Sequence, residues 1–127
     1  MDFSQGGEHR LKSKKLITRV FSEGKAVKAY PVLAIVLQCE DDSPWKAGFS
    51  VARKRLPRAV DRNLIKRRMR EALRLNFSKY LSDKHQGLAF MLIYADHKVN
   101  DYQVVERSVC RILKELKESM ESDIEQH

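Results

Sequence analysis

Between Arg53 and Arg74 the chain carries ten basic residues against two acids, Asp61 and Glu71. The whole chain of 127 residues holds 25 basic and 17 acidic residues for a formal charge of +8, so the remainder, with 15 of each, is neutral. The net charge therefore belongs to one stretch, and that stretch constrains the fold. From about Ala59 its apolar residues Leu64, Ile65, Met69, Ala72, Leu73 and Leu75 recur at helical spacing among residues that favour helix. Asp61 sits at the start, where a carboxylate can cap the unpaired amides and suits the positive end of the dipole. At roughly 100° per residue, Asn63, Lys66, Arg67, Arg70 and Arg74 gather on one side. A helix so divided must lay its apolar side on a core and leave its cations facing outward.

Like charges at i, i+4 repel by about a few tenths of a kcal/mol per pair on an isolated helix. With no acid on the stripe to offset them, the cations fit a polyanion, which turns repulsion into attraction by releasing counterions. The plain alternative is a solvated helix face. Arg68 falls within the apolar arc, so it either snorkels out or reaches a separate contact, and Arg62 lies near the other edge.

The length suits one domain over residues 1–127, with 1–10 and about 119–127 expected to be flexible. Cys39 and Cys110 lie in apolar segments without metal-ligand spacing and read as reduced, buried thiols. The apolar runs Val32 to Leu37 and Leu88 to Ala95 are too short to span a bilayer, and the first residues lack the apolar region of a signal peptide. A cytoplasmic protein is expected, and its pI of about 9.7 points to nucleic acid rather than lipid.

Along the chain, Ser13 is placed to cap a first helix. Leu16, Ile17, Val20 and Phe21 form its apolar side, and Gly24 is placed to close it as a C′ residue. By spacing, Phe21 is a core residue. The opposite side holds Lys12, Lys14, Lys15 and Arg19, with Arg10 just ahead, a second and smaller basic patch. Tyr30 to Cys39 reads as a strand, Glu40 to Lys46 as a hairpin connection anchored by Trp45, and Gly48 to Lys54 as the returning strand. In that strand Phe49 and Val51 share a face, with Gly48, Ser50 and Ala52 on the other. Pro57 breaks the chain before the basic helix, and Asn76 to Gly87 reads as its end and a loop. Leu88 to Ala95 is continuous enough in apolar residues to be a central strand. Asn100 with Gln103 reads as a capping box for a last helix, whose apolar side runs through Tyr102, Val105, Val109, Ile112, Leu113, Leu116 and Met120. The basic helix would join two strands of one sheet, with helices over one face.

The segment Ala59-Val60-Asp61-Arg62-Asn63-Leu64-Ile65-Lys66-Arg67, with Arg70-Glu71 after it and the strand Gly48-Phe49-Ser50-Val51 before it, resembles the protein subunit of bacterial ribonuclease P. The likeness extends from about Arg10 to about Leu116 and includes Arg10-Leu11, Val20-Phe21 and Gly24. It implies an α/β (α+β) two-layer sandwich in the order α-β-β-(short β)-α-β-α, with a left-handed βαβ crossover around the basic helix. It also implies a role beside a catalytic RNA that removes the 5′ leader of precursor tRNA and leaves a 5′-phosphate, using Mg²⁺ held mainly by that RNA. Carried over by position, Arg53, Lys54, Arg58, Arg62, Asn63, Lys66, Arg67, Arg70 and Arg74 would bind the RNA subunit. Ile17, Phe21, Ile35, Lys14 and Lys15 would bind the leader in a cleft between the first helix and the sheet. There Phe21 would stack on bases, while Ile17 and Ile35 stand where related chains carry aromatics.

The residues offer no chemistry of their own. His9, His85, His97 and His127 are scattered without partners at metal spacing, and there is no phosphate-binding glycine loop, activated serine or carboxylate cluster. Neither a catalytic nor a metal-binding side chain is expected. The partners implied are the catalytic RNA and the precursor leader, with no membrane or DNA. A structural RNA-binding protein of another particle, such as the ribosome, is the alternative. A protein-only nuclease would need a cluster this chain lacks.

Overall fold

The computed structural model describes residues 9–39, 43–81 and 87–125. In chain order the elements are α1 (Lys14–Glu23), β1 (Lys25–Ala29), β2 (Val32–Gln38), β3 (Lys46–Val51), α2 (Ala59–Tyr80), β4 (Leu88–Tyr94) and α3 (Tyr102–Glu125). Residues 1–8 and 126–127, within the ends expected to be flexible, lie outside the described residues.

The strands form one sheet in the order β1-β2-β4-β3. β4 pairs antiparallel with β2 and parallel with β3. Six of its seven residues are buried, and a strand apolar on both faces is stable only inside a sheet. That requirement overturns the expected hairpin between the second and third strands. β3 does not return beside β2, because β4 takes the place between them. Parallel neighbours need a crossover, and α2 is that crossover from β3 to β4. The three strands between α1 and α2 match the order that the resemblance implied, and β1 is a lysine-bearing edge paired with β2. The other edge, β3, is covered at its start. The Ala47 amide donates to the His9 carbonyl at 2.9 Å, and the Leu11 amide to the Ala47 carbonyl at 3.1 Å.

Alternation along the strands gives two cores. On one face Val32, Ala34 and Val36 join Phe90, Leu92 and Tyr94 beneath α2 and α3, which contribute Ile65, Met69, Leu73 and Val105, Val109, Leu113. On the other face Leu37, Ala89 and Met91 meet Leu11 and Val20, with Leu16, Ile17 and Ile35 half-buried around them. Helices therefore cover one face as expected for α2 and α3, while α1 lies on the opposite face. Each fully buried aliphatic side chain contributes about 1.5–3 kcal/mol, so the larger core dominates.

The buried stripe of α2 is Ile65, Met69, Ala72, Leu73, Asn76 and Phe77. Leu75, expected on it, is 47% exposed because Asn76 occupies the inward position. The helix also runs on to Tyr80, about one turn past its expected end. Asn76 Nδ2 donates to the Ala72 carbonyl at 2.8 Å and to Glu106 of α3 at 3.0 Å, so the buried amide is satisfied.

Two caps differ from expectation. Gly24 closes α1 through its amide, 2.9 Å from the Val20 carbonyl, but with a φ of −74° that any residue adopts. Glycine is needed there for space: a Cβ would come within 2.5 Å of the Val20 carbonyl oxygen and 2.9 Å of that of Val36. Asn100 forms no capping box. Its side chain is turned to Tyr94 and Asp96, and the first amide bonds of α3 go to the Asp101 carbonyl. The Ser13 cap holds, its Oγ accepting from the Leu16 amide at 3.2 Å. Trp45 anchors the start of β3 as expected, stacked between His9 at 4.0 Å and Phe77 at 4.6 Å.

Candidate nucleic-acid interface

The basic stretch begins in the connection from β3 to α2, a tight turn in which the amides of Arg55 and Leu56 both donate to the Ala52 carbonyl. Leu56 plugs into the core at 3% exposure and leaves Arg53, Lys54 and Arg58 exposed around it. Arg58 is the N-cap residue of α2 and makes no side-chain cap bond, while Asp61 lies in the first turn. The Asp61 carboxylate thus complements the dipole without capping. Arg62 bends back, its Nη1 donating to the Leu56 carbonyl at 3.1 Å and the Pro57 carbonyl at 2.8 Å. It fixes the angle at which the turn enters the helix.

Along α2, Asn63 and Arg67 are exposed and Lys66, Arg70 and Arg74 are half-buried, all turned away from the inward stripe. Arg74 pairs with Glu71 one turn earlier. Arg70 lies over the Phe49 ring, with its guanidinium carbon 5.6 Å from the centroid. Its Nε is buried with no hydrogen-bond partner among the described residues. Arg68 is set apart from the stripe and donates to the Asn100 carbonyl, which ties α2 to the loop ahead of α3. The sequence left its role open, and the structure makes it a brace between elements.

On the sheet's other face Lys14 and Lys15 are exposed at the start of α1. Ile17 and Ile35 pack on the smaller core. Phe21 corrects the reading from spacing: Val20 is fully buried, whereas Phe21 stands 49% exposed outside either core. α1 lies flat on two strands and buries only a narrow stripe, which leaves the ring of Phe21 in solvent.

The basic side of α2 borders a groove of about 420 Å³ that reaches α1. Ile17 of α1 lines one side, Lys66 and Arg70 of α2 the other, and Gly48, Phe49 and Met91 of the sheet lie between, with Arg10 at the rim. A Cβ on Gly48 would come within 2.6 Å of the Met91 sulfur, so glycine keeps that part of the groove open. Sequence reasoning placed Arg10 in the smaller basic patch but missed Gly48 and Phe49 as parts of this surface. Alternation did signal the two faces of β3, but not which helix would press on each. The exposed cations, the aromatic ring and the cationic groove suit a flexible polyanion whose bases can stack. Among the described residues no group of three or more His, Cys, Asp or Glu side chains is placed to hold a metal ion, and no helix is long and apolar enough to cross a membrane.

Comparison with known proteins identifies relatives of this chain. Residues 6–117 match the family model described as Ribonuclease P. The ribonuclease P protein component of Porphyromonas gingivalis is 35% identical over 118 residues, covering 87% of this chain and 85% of the relative. That of Streptococcus mutans is 32% identical, covering 91% and 92%. A shorter match of 67 residues to the Picosynechococcus component reaches 45% identity and spans 57% of that protein. Among solved structures, the RNase P protein of Staphylococcus aureus superposes with a TM-score of 0.72 at 24% identity, covering 86% of this chain and 95% of that one. The Thermotoga maritima protein gives 0.70 at 23%, covering 84% and 96%, and both show a shared fold.

Proposed function

The chain belongs to the ribonuclease P protein family, and from that premise we propose that it is the RNA-binding subunit of a ribonuclease P that removes the 5′ leader of precursor tRNA. The observation that carries the reading is the one-sided cationic face of α2, continuous with a groove that reaches Ile17 of α1. In this reading Arg53, Lys54, Arg58, Asn63, Lys66, Arg67, Arg70 and Arg74 hold phosphates of the catalytic RNA, and Arg62 holds the turn that presents them. The leader runs beside α1, where Phe21 stacks on a base, Ile17 and Ile35 supply apolar contact, and Lys14 and Lys15 meet phosphates. The Arg70 guanidinium, short of an acceptor on its Nε, is suited to an anionic partner.

Mg²⁺ would be held by the RNA. The described residues of α2 do not fit a hard cation, which takes several oxygen ligands: Asp61 stands alone among cations, and Glu71 is paired with Arg74. The protein's own contribution is binding and orientation, which raise the rate by placing the scissile phosphate. Such a protein would act in the cytoplasm.

The test is cleavage of a 5′-labelled precursor tRNA by a bacterial ribonuclease P RNA at limiting Mg²⁺, with and without the protein. Stimulated cleavage at the mature 5′ end, at near-stoichiometric protein, is the expected result. Tight RNA binding without stimulation would instead make it a structural RNA-binding protein of another particle.

A further inference from the structure

Tyr30, at 71% exposure, is the most exposed large apolar side chain among the described residues. It lies in the turn between β1 and β2, yet it is held in place. Its carbonyl accepts from Ser108 Oγ at 3.1 Å, the adjacent Pro31 carbonyl accepts from the Ala95 amide at 2.8 Å, and the nearby Asp96 carboxylate pushes the pKa of its hydroxyl up. Asp96 accepts from the His97 amide at 2.7 Å and from Asn100 Nδ2 at 2.8 Å. Beneath them the buried Tyr94 hydroxyl donates to the Lys98 carbonyl at 2.6 Å and accepts from the Asn100 amide at 3.1 Å, while Arg68 grips the Asn100 carbonyl from α2. Burial works against the Asp96 charge, but hydrogen bonds from Asn100, Tyr30 and the His97 and Lys98 amides hold its carboxyl below the ordinary range. The carboxylate beside Tyr30 is thus ionised and held by the loop ahead of α3.

Beside this ring the Arg55 Nη1 lies 3.0 Å from His97 Nε2, and Arg55 is near enough to Tyr30 to act on its hydroxyl electrostatically. Three connections, β1 to β2, β3 to α2 and β4 to α3, bring these groups to the end of the sheet where α2 begins. Arg53, Lys54 and Lys98 are exposed around them, so the patch continues the cationic surface of the basic helix. The backbone that carries the ring is anchored to Ser108 and Ala95, while the ring itself stands in solvent. An exposed aromatic ring with a guanidinium near it, and an imidazole paired to that guanidinium, is suited to an unstacked base.

We propose that Tyr30, with Arg55 and His97 beside it, is a stacking site for an unpaired RNA base whose flanking phosphates meet Arg53, Lys54 and Lys98. The proposal rests on the ribonuclease P reading and adds a contact separate from the α1 cleft. The base belongs either to the catalytic RNA or to the precursor tRNA, and two titrations separate them.

Wild-type protein and the Tyr30→Ala, Tyr30→Leu and Tyr30→Trp variants are titrated into a bacterial ribonuclease P RNA at fixed salt, and each assembled particle into precursor tRNA. Thermal unfolding of the free proteins confirms that each variant folds. Tyr30→Leu, which keeps bulk and loses the π face, carries the test should Tyr30→Ala unfold. Loss of the ring is expected to weaken one of the two titrations about five- to hundredfold, and Tyr30→Trp to stay within about twofold of wild type. Its added indole is expected to be quenched on RNA binding beyond the change shown by Trp45 in the wild type. Weakening in the first titration assigns the base to the catalytic RNA, and in the second alone to the precursor. Unchanged affinity in both, or equal weakening by Leu and Trp, overturns the site. Failure of the wild type to bind the catalytic RNA would count against the subunit reading instead.

Discussion

Arg70 covers the ring of Phe49, 5.6 Å from guanidinium carbon to centroid, so a cation of the α2 stripe is stacked on the sheet at the groove between α1 and α2. Stacking orients the guanidinium before any ligand arrives. Arg70→Ala removes both charge and stack and is expected to weaken binding to the ribonuclease P RNA and to flatten the slope of log K against log salt by about one unit. Arg70→Lys keeps the charge without the planar stack, so its slope should match wild type while its affinity falls by about 0.5–1 kcal/mol. An unaltered slope in Arg70→Ala would remove this residue from the RNA face.

Phe21, being half-exposed and outside both cores, gives a mutation that separates function from folding. Phe21→Ala should change unfolding free energy by within about 0.5 kcal/mol. The assembled particle should lose about 1–3 kcal/mol of its preference for precursor over mature tRNA if the ring stacks on the leader. Competition binding with the two tRNAs measures it, and equal losses for both would count against the leader contact.

Arg67 and Arg68 are neighbours in the chain with different work. Arg68 donates to the Asn100 carbonyl, whereas Arg67 is exposed on the stripe. Arg68→Ala should destabilise the protein by about 1–3 kcal/mol in urea unfolding, the range for breaking a partly buried charged hydrogen bond, and leave the salt slope in place. Arg67→Ala should do the reverse.

The contact between α2 and α3 sets a pH dependence. Hydrogen bonding from Asn76, opposed by burial and aided by the Tyr102 hydroxyl, holds the Glu106 carboxyl below its ordinary 4.5. A depressed folded value means that its stabilisation is complete above 4.5 and is lost as pH falls through the folded value. Burial and the bond to Glu106 push Tyr102 from 10.0 up to about 12, so its contribution is complete below 10.0 and lost as pH rises towards 12. Glu106→Gln should cost about 0.5–1.5 kcal/mol at neutral pH and make the loss of stability below pH 4.5 shallower. Urea unfolding at several pH values gives both quantities, and an unchanged acid limb would remove Glu106 from the linkage.

Much of the frame was legible because periodicity reports local burial. The cationic side of α2, the Ser13 cap, the two faces of β3 and the central place of β4 all follow from residue spacing. What escaped depends on which surfaces meet. Asn76 rather than Leu75 faces inward because Glu106 of α3 is there to receive its amide. Gly24 is required by the backbone of β2 passing close to the end of α1, which no local pattern encodes. Phe21 looked like core because α1 was read as burying its whole apolar side, when it rests on the sheet along a narrow line. The hairpin between β2 and β3 failed for a related reason: nearness in sequence favoured it, and the later β4 displaced it. In the candidate interface the charges were legible, Arg10 among them, while Gly48 and Phe49 entered only through the packing of three elements.

That late central strand also sets the order in which the molecule can assemble. β4 pairs Val32 with Tyr94 on one side and Val51 with Tyr94 on the other, so both strand pairings that close the sheet join residues about 40 to 60 positions apart. A nascent chain that has not reached Leu88 has only the ribbon of β1 and β2, marginal in water, and a β3 without a strand partner. Its cationic helix is already synthesised, with the apolar stripe from Ile65 to Phe77 still waiting for the strand that completes its bed. Sheet closure is thus a late, long-range event that must overcome the entropy of large loops. Until then, an RNA held by the finished charges of α2 would be holding a chain that has yet to fold.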